Sequence, residues 1–395
     1  MISAVRSEYN KYFTEKKYQA FLADLNQSFN YEVAFRVAES PLFVDAAFKS
    51  KLVKASEEMI DFIVANALKD ITKDAMPAAL QVPNETKHPL FLALDFAIVK
   101  SDDGYMPKLI EMQGFPSLFG WQDFLPDMYR KHFKVPADMH SHLVKREVFT
   151  TAFNKVILNG HHPENVILLE IDPMKQNTAI DFLVTEKMTG VKAVHIGDVK
   201  VDGKNLYYIK DKKRIPIHRI YNRVIFDELM RRTDLKLDFT LREEVDVEWA
   251  GHPNWFYRIS KYTMPFIKSQ YLPECKFLSQ YTDLPDDLHN YVLKPLYSFS
   301  GSGVIFHVKK SDIDAIPEKE RHDFILQHKV QYAPVVQAPD GLVNVEMRLL
   351  FIWEEDKPRP TLMTNLVRLS RGEMIGVKYN KDKTWVGGSV AFFES

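Results

Sequence analysis

Between residues 145 and 231 the chain alternates strand signals with helix signals, and that alternation limits the possible folds more than any other feature. Val144 to Leu158 places apolar residues at helical spacing, and Asn165 to Ile171 (NVILLEI) reads as a buried strand. Gln176 to Met188 is helical and Ala193 to Ile196 is a strand. A hairpin turns around Asp202-Gly203, Ile217 to Tyr221 is a strand, and a helix starts at Val224. Such alternation implies a parallel sheet with helices on its faces, because parallel neighbours need a long crossover. The expected fold class is α/β with α+β additions.

The flanking regions differ. In the first 75 residues Tyr18, Phe21, Leu22 and Leu25 fall at helical spacing, as do Phe48, Leu52, Ala55, Met59, Phe62 and Ile63. Phe91 to Val99 then reads as a strand, Ser101-Asp102-Asp103-Gly104 as a turn and Lys108 to Met112 as the returning strand. A helix is expected over Phe256 to Ser269. The last third is strand-rich: Tyr291 to Lys294, Gly303 to Val308, Phe324 to Gln327, Val345 to Trp353, Thr361 to Leu369 and Met374 to Tyr379. A chain of 395 residues is too long for one core, so two or three subdomains are expected.

Charge and cysteine remove whole classes of function. The 52 Lys and Arg against 53 Asp and Glu leave a net charge of −1, without the basic excess of a nucleic-acid binder. A lone cysteine, Cys275, allows neither an intrachain disulfide nor a Cys-rich zinc site. It lacks a nearby base motif and reads as inert. His132, His140 and His142 have no second ligand pair at fixed spacing and read as surface histidines, and Lys210 to Arg214 as a solvated face. No apolar run spans a bilayer, and the N-terminus mixes charges into every turn, so a cytoplasmic protein without membrane contact is expected. The 15 glycines amount to about 4% against a usual level of about 7%, so each is expected where the backbone bends or meets a ligand.

The richest segment is YVLKPLYSFSGSGVIFHV, Tyr291 to Val308. A strand ends in Lys294, and a small-residue loop follows with Ser298, Ser300, Gly301, Ser302 and Gly303. Loops of this kind let backbone N–H groups crowd a phosphate while the lysine supplies charge. A hairpin with a flexible tip fits the same residues. Neither a Walker A loop nor a dinucleotide fingerprint occurs. Upstream, LALDFAIVKSDDGYMPKLIEMQ places Asp95 on one strand, with Glu111 and Gln113 two apart on its partner. A carboxylate inside the apolar run Leu92 to Ile98 needs a partner; a hard cation would serve.

Lys261, Lys294, the flap and a strand ending in Gln327, followed by His328, Lys329 and Val330, resemble the ATP-grasp superfamily in their order along the chain. The metal strands come first here, as in the circularly permuted group that includes glutathionylspermidine synthase-like proteins and resembles the ATP-binding domain of glutathione synthetase. Glu111-Met112-Gln113 stands where that family has E-x-N, and Ala93 where it has an arginine. The resemblance implies an ATP-grasp core preceded by an open α/β subdomain. Residues 1–88 would form a helical region, 89–130 the metal hairpin, 140–255 the pre-ATP-grasp subdomain and 256–395 the nucleotide and catalytic parts.

It implies ATP between Lys261, Lys294, Ser298, Ser300, Gly301, Ser302, Gly303 and Gln327, with main-chain contacts at His328 and Val330. Mg²⁺ would lie on Asp95, Glu111 and Gln113. Arg348 and Arg368, inside apolar runs, read either as phosphate-binding groups or as ion pairs with Glu346 or another acid. Arg223 and the His252-Pro253-Asn254-Trp255 segment face substrate or are structural; Asn380, Gly387 and Gly388 are candidates to line an acceptor pocket. Glu170, Asp172 and Gln176 sit where open α/β sheets bind ligands, or where a helix is capped. The activity implied is an ATP- and Mg²⁺-dependent ligase that joins a small-molecule or peptide carboxylate to an amine through an acyl phosphate. A small-molecule kinase and a non-catalytic nucleotide binder are the alternatives, and the oligomeric state stays open.

Overall fold

The computed structural model describes every residue except 66, 298–300, 373–374, 376–379 and 381. The chain starts with α1 (Ser3–Tyr12) and α2 (Glu15–Gln27), the second capped by Thr14, whose hydroxyl accepts from the Lys17 N–H at 3.3 Å. A short strand, β1 (Leu42–Val44), leads into α3 (Ala46–Val64), capped by Asp45. Phe48, Leu52, Ala55, Met59 and Ile63 form the buried stripe of α3, as their spacing predicts. A short α4 (Leu68–Ile71) closes the region.

The hairpin follows as β2 (Phe91–Ser101) and β3 (Gly104–Gln113), with Gly104 at φ +112° in the turn. Next come α5 (Phe119–His132) and α6 (Arg146–Leu158), β4 (Val166–Glu170), α7 (Ala179–Thr189) and β5 (Lys192–His195). A three-stranded meander, β6 (Lys200–Asp202), β7 (Asn205–Lys210) and β8 (Lys213–Ile217), precedes β9 (Arg219–Asn222), α8 (Phe226–Arg231) and β10 (Glu248–Ala250). Strands β10, β9, β4 and β5 make a wholly parallel sheet in that order, the arrangement the alternating pattern predicts. Every residue of β4 is buried, which explains its unbroken apolar run. Val166 and Leu168 pack with Phe149, Phe153 and Phe182 on one face, and Ile167 and Leu169 with Leu206 and Phe226 on the other.

The expected helix over Phe256 to Ser269 is two pieces, α9 (Asn254–Arg258) and a tight 3₁₀ turn at Lys261–Phe266. Ser260 separates them: its backbone is extended and its hydroxyl caps the Tyr262 N–H at 3.1 Å, while Pro265 has no N–H to continue an α-helix. A small sheet follows: β11 (Cys275–Phe277), β12 (Tyr291–Pro295), then past α10 (Lys310–Asp314) the central strand β13 (Phe324–His328). The strand expected at Gly303 to Val308 is reduced to one bridge, Ile305 to Leu293, after Gly301 and Gly303 at φ +72° and +70°.

The chain ends with β14 (Val336–Ala338), β15 (Gly341–Ile352), β16 (Thr361–Ser370), β17 (Gly387–Ser389) and β18 (Ala391–Phe393). Most of the strand expected at Met374 to Tyr379 lies outside the described residues. An antiparallel sheet in the order β17-β16-β15-β2-β3, with β14 also on β15, forms the centre of the molecule. Leu92, Leu94, Phe96 and Ile98 of β2 join the core that contains α1 to α3; Phe91 and Ala93 turn to the other face, against α6 and β4. β1 pairs in parallel with β18, so the N-terminal helices are tied to the C-terminal strand. Among the described residues no helix is long and apolar enough to cross a membrane.

Candidate functional site: a charged row on the central sheet

Sheet register builds the site. Arg348 on β15 stands opposite Asp95 on β2, which stands opposite Glu111 on β3. Two residues along, Glu346 stands opposite Arg368 on β16. Directly paired residues project to the same face, so these five charges form one row. Arg348 grips Asp95 with both arms of its guanidinium, Nε to Oδ1 at 2.6 Å and Nη2 to Oδ2 at 2.7 Å. The Arg368 Nη2 donates to Asp95 Oδ2 at 3.0 Å and also to Glu346. Asp95 is 1% exposed, and both its oxygens are occupied by guanidinium N–H groups. The Tyr332 hydroxyl donates to Glu346 at 3.3 Å.

Two lysines reach the row from outside the central sheet. Lys261, at the start of the 3₁₀ turn, lies 3.2 Å from Glu111. Lys294, near the end of β12, donates to the Ile110 carbonyl at 3.1 Å. That carbonyl is available because the register slips: Asp95 faces Glu111, but Phe96 faces Leu109, which leaves Ile110 as a bulge. Burial, reinforced by the Lys261 charge and opposed by Glu111, lowers the Lys294 pKa to about 8. Burial would raise the Glu111 pKa, but Lys261, Lys294, Arg348 and Arg368 outweigh it, and the pKa falls below the ordinary value. Four cations thus converge on one carboxylate. The row reaches solvent at its two ends, where the side chains of Glu111 and Arg368 are 28% and 35% exposed.

The face of the small sheet that carries Lys294 also carries Val292, Cys275 and Gln327. Gln327 is 2% exposed, yet neither its amide nitrogen nor its amide oxygen has a hydrogen-bond partner among the described residues. An orphaned buried amide is costly unless something else meets it. Burial pushes the Cys275 thiol up to about 12, so it is not a nucleophile at neutral pH. Beside this sheet a cleft of about 630 Å³ is lined by Lys100, Lys108, Glu274, His328, Val330 and Tyr332, among others.

The remaining expected site residues divide sharply. Ser298 and Ser300 lie outside the described residues. Gly301, Ser302 and Gly303 lead out of β12's loop, and Gly303 sits so close to Pro295 that an added Cβ would come within 3.0 Å of its ring. Gln113 ends β3 opposite Ala93 and is half-buried. Arg223 pairs with Asp181 at 2.6 Å and stacks on Phe182, and its buried Nε has no hydrogen-bond partner among the described residues. The Asn380 side chain bonds Ser370 and the Arg371 N–H. Gly387, at φ +124°, passes so near the Arg36 carbonyl that a Cβ would stand 2.4 Å away, and Gly388 bridges to Val37. Tyr332 and the Ile110 carbonyl belong to the site without any signal in the sequence, since a bulge and a loop contact are tertiary events. Among the described residues no cluster of three His, Cys, Asp or Glu side chains is disposed to hold a metal ion.

No protein-family model matches this chain, and no curated protein does. Among solved structures, a glutathione synthetase-like effector from Globodera pallida, in its apo form, aligns with 97% of this chain and 98% of its own, with a TM-score of 0.60 and 11% identity. At that identity the likeness concerns the fold alone. The protein has a mixed α/β, glutathione synthetase-like fold, so this part of the expectation holds at the level of architecture.

Proposed function

We propose that the protein binds ATP along the charged row and uses it to join a carboxylate to an amine, through an acyl phosphate. The observation that carries this reading is the convergence of Lys261, Lys294, Arg348 and Arg368 on a face where, among the described residues, Asp95, Glu111 and Glu346 are the carboxylates that meet them. A surplus of positive charge in a partly buried place suits a polyphosphate. Lys261, Lys294 and the backbone from 301 to 303 would hold the phosphates; the orphaned Gln327 amide and the main chain at His328 and Val330 would take the adenine edge. Arg348 and Arg368 would stabilise charge on the transferred group. The glutathione synthetase-like fold supports the ligase class.

Asp95, Glu111 and Gln113 make a poor three-oxygen set for Mg²⁺, because both Asp95 oxygens accept from arginine and a divalent ion beside them would meet two guanidinium charges. That same observation favours a second reading, nucleotide binding without catalysis. Both are testable together. ATP should raise the melting temperature of the parent more than that of Lys294→Ala; equal stabilisation of the two removes the nucleotide from this site. Release of ADP with a new amide, from pools of acids and amines, supports the ligase. A stable phosphorylated product identifies a kinase, and stabilisation without ADP a binder.

A further inference from the structure

The disagreement between the carboxylates and a metal site has a consequence for how phosphate charge is met. We propose that Arg348 and Arg368, anchored by Asp95, take the charge-neutralising place of a protein-bound divalent cation, so that the nucleotide binds this row without metal. This inference rests on the nucleotide reading given above. A carboxylate that served as a metal ligand would need a lone pair directed at the ion. Asp95 accepts three N–H bonds, two from Arg348 and one from Arg368, which take three of its four lone-pair positions, and a divalent ion at the fourth, on Oδ1, would sit against two guanidinium charges on a side chain only 1% exposed. Its strand neighbours confirm that this is a built arrangement. Register places Arg348 directly across from Asp95, and the diagonal neighbour Arg368 is held from its other side by Glu346, itself oriented by Tyr332.

Freeing Asp95 for a metal would leave two guanidinium groups without their counter-ion, one of them with a side chain 9% exposed; that is the costly way to lose a buried pair. Arginine is also the better phosphate group of the two basic side chains, since its planar fork meets two oxygens at once. Arg368 is the one placed to turn outward, because 35% of its side chain faces solvent while Arg348 stays locked. Asp95 therefore acts as a positioning residue for the arginines.

The decisive measurement is the affinity of ATP, by calorimetry on the full chain, in EDTA and in excess Mg²⁺. Chelation should change it by no more than about threefold. A loss of about tenfold or more on chelation overturns the metal-free site while leaving the nucleotide reading intact. No binding under either condition overturns the nucleotide reading itself, and this inference with it. Arg368→Met should weaken ATP binding in EDTA by about tenfold or more, and unchanged binding would sink the arginine role. Asp95→Asn, studied where circular dichroism shows it folded, distinguishes positioning from ligation. Mg²⁺ should affect its ATP affinity as little as it affects the parent's, and a Mg²⁺ response seen in the parent and lost in the variant would make Asp95 a ligand.

Discussion

Arg223 and Asp181, where β9 meets α7, form a pair closed to solvent, with side chains 4% and 0% exposed, although the Arg223 Nε has no hydrogen-bond partner among the described residues. Asp181 also accepts from the Trp121 N–H at 2.9 Å, and rings of Phe115 and Phe182 cover the guanidinium. The central row is also buried over most of its length, but with Lys261 and Lys294 it gathers four cations against three carboxylates among the described residues, and its ends are open. The contrast teaches that buried charge does not by itself mark a site. A pair matched one to one inside aromatic walls is a structural device, whereas an unbalanced row with exposed ends retains capacity for an outside anion.

The largest expected effect tests the closed pair. Arg223→Met strands the Asp181 carboxylate and should cost about 3–5 kcal/mol in urea unfolding, while ATP affinity of the folded variant stays the same. A loss of ATP affinity without loss of stability would make Arg223 part of the site and erase the contrast.

Glu170, 6% exposed at the end of β4 in the same sheet, gives the next effect. Burial raises its pKa to about 8, against 4.5 for the ordinary group. Between those values the folded chain holds a proton that the unfolded chain has lost, so this contribution to stability, full below pH 4.5, fades as pH rises towards 8. Glu170→Gln lacks that fade and should gain on the parent by up to about 2.7 kcal/mol between about pH 5 and pH 7, read by unfolding at each pH. A constant difference across pH would show an ionised Glu170.

In the open row, Lys294→Ala removes one charge of the proposed phosphate site and should cost about 2–3 kcal/mol of ATP affinity, roughly 30- to 150-fold. It should not destabilise the free protein, since a half-buried lysine with a lowered pKa is itself costly to keep charged. The smallest effect is one of pH. With the Lys294 pKa at about 8, its charge falls away above that value, and ATP affinity should drop about tenfold from pH 7 to pH 9. Lys294→Met should abolish this dependence, and persistence of the full drop would assign it to another group.

Much of the architecture was legible. The parallel sheet, the β2–β3 hairpin and the buried stripe of α3 follow from periodicity, which local sequence carries directly. The helix over Phe256 to Ser269 failed at Ser260, where a side-chain cap competes with the backbone. Arg348 and Arg368 stood out as charges inside apolar strands, and the sequence left both a phosphate role and an ion pair open. Asp95 stood out for the same reason, but which cation would meet it was not readable. The scarce glycines were expected to meet ligand. Gly114 and Gly387 meet this chain's own backbone instead, at Trp255 and Arg36.

By itself the sequence determined the element types, the absence of a disulfide and the short set of charged residues that must find partners in an apolar interior. Only the tertiary structure decided the partners. Strand register sets Arg348 across from Asp95, and a one-residue bulge hands the Ile110 carbonyl to Lys294. The Arg348–Asp95 register needs residues 253 positions apart to settle side by side, and the bulge of the local hairpin gains its role only when Lys294, 184 positions further on, reaches it; no local pattern encodes either meeting.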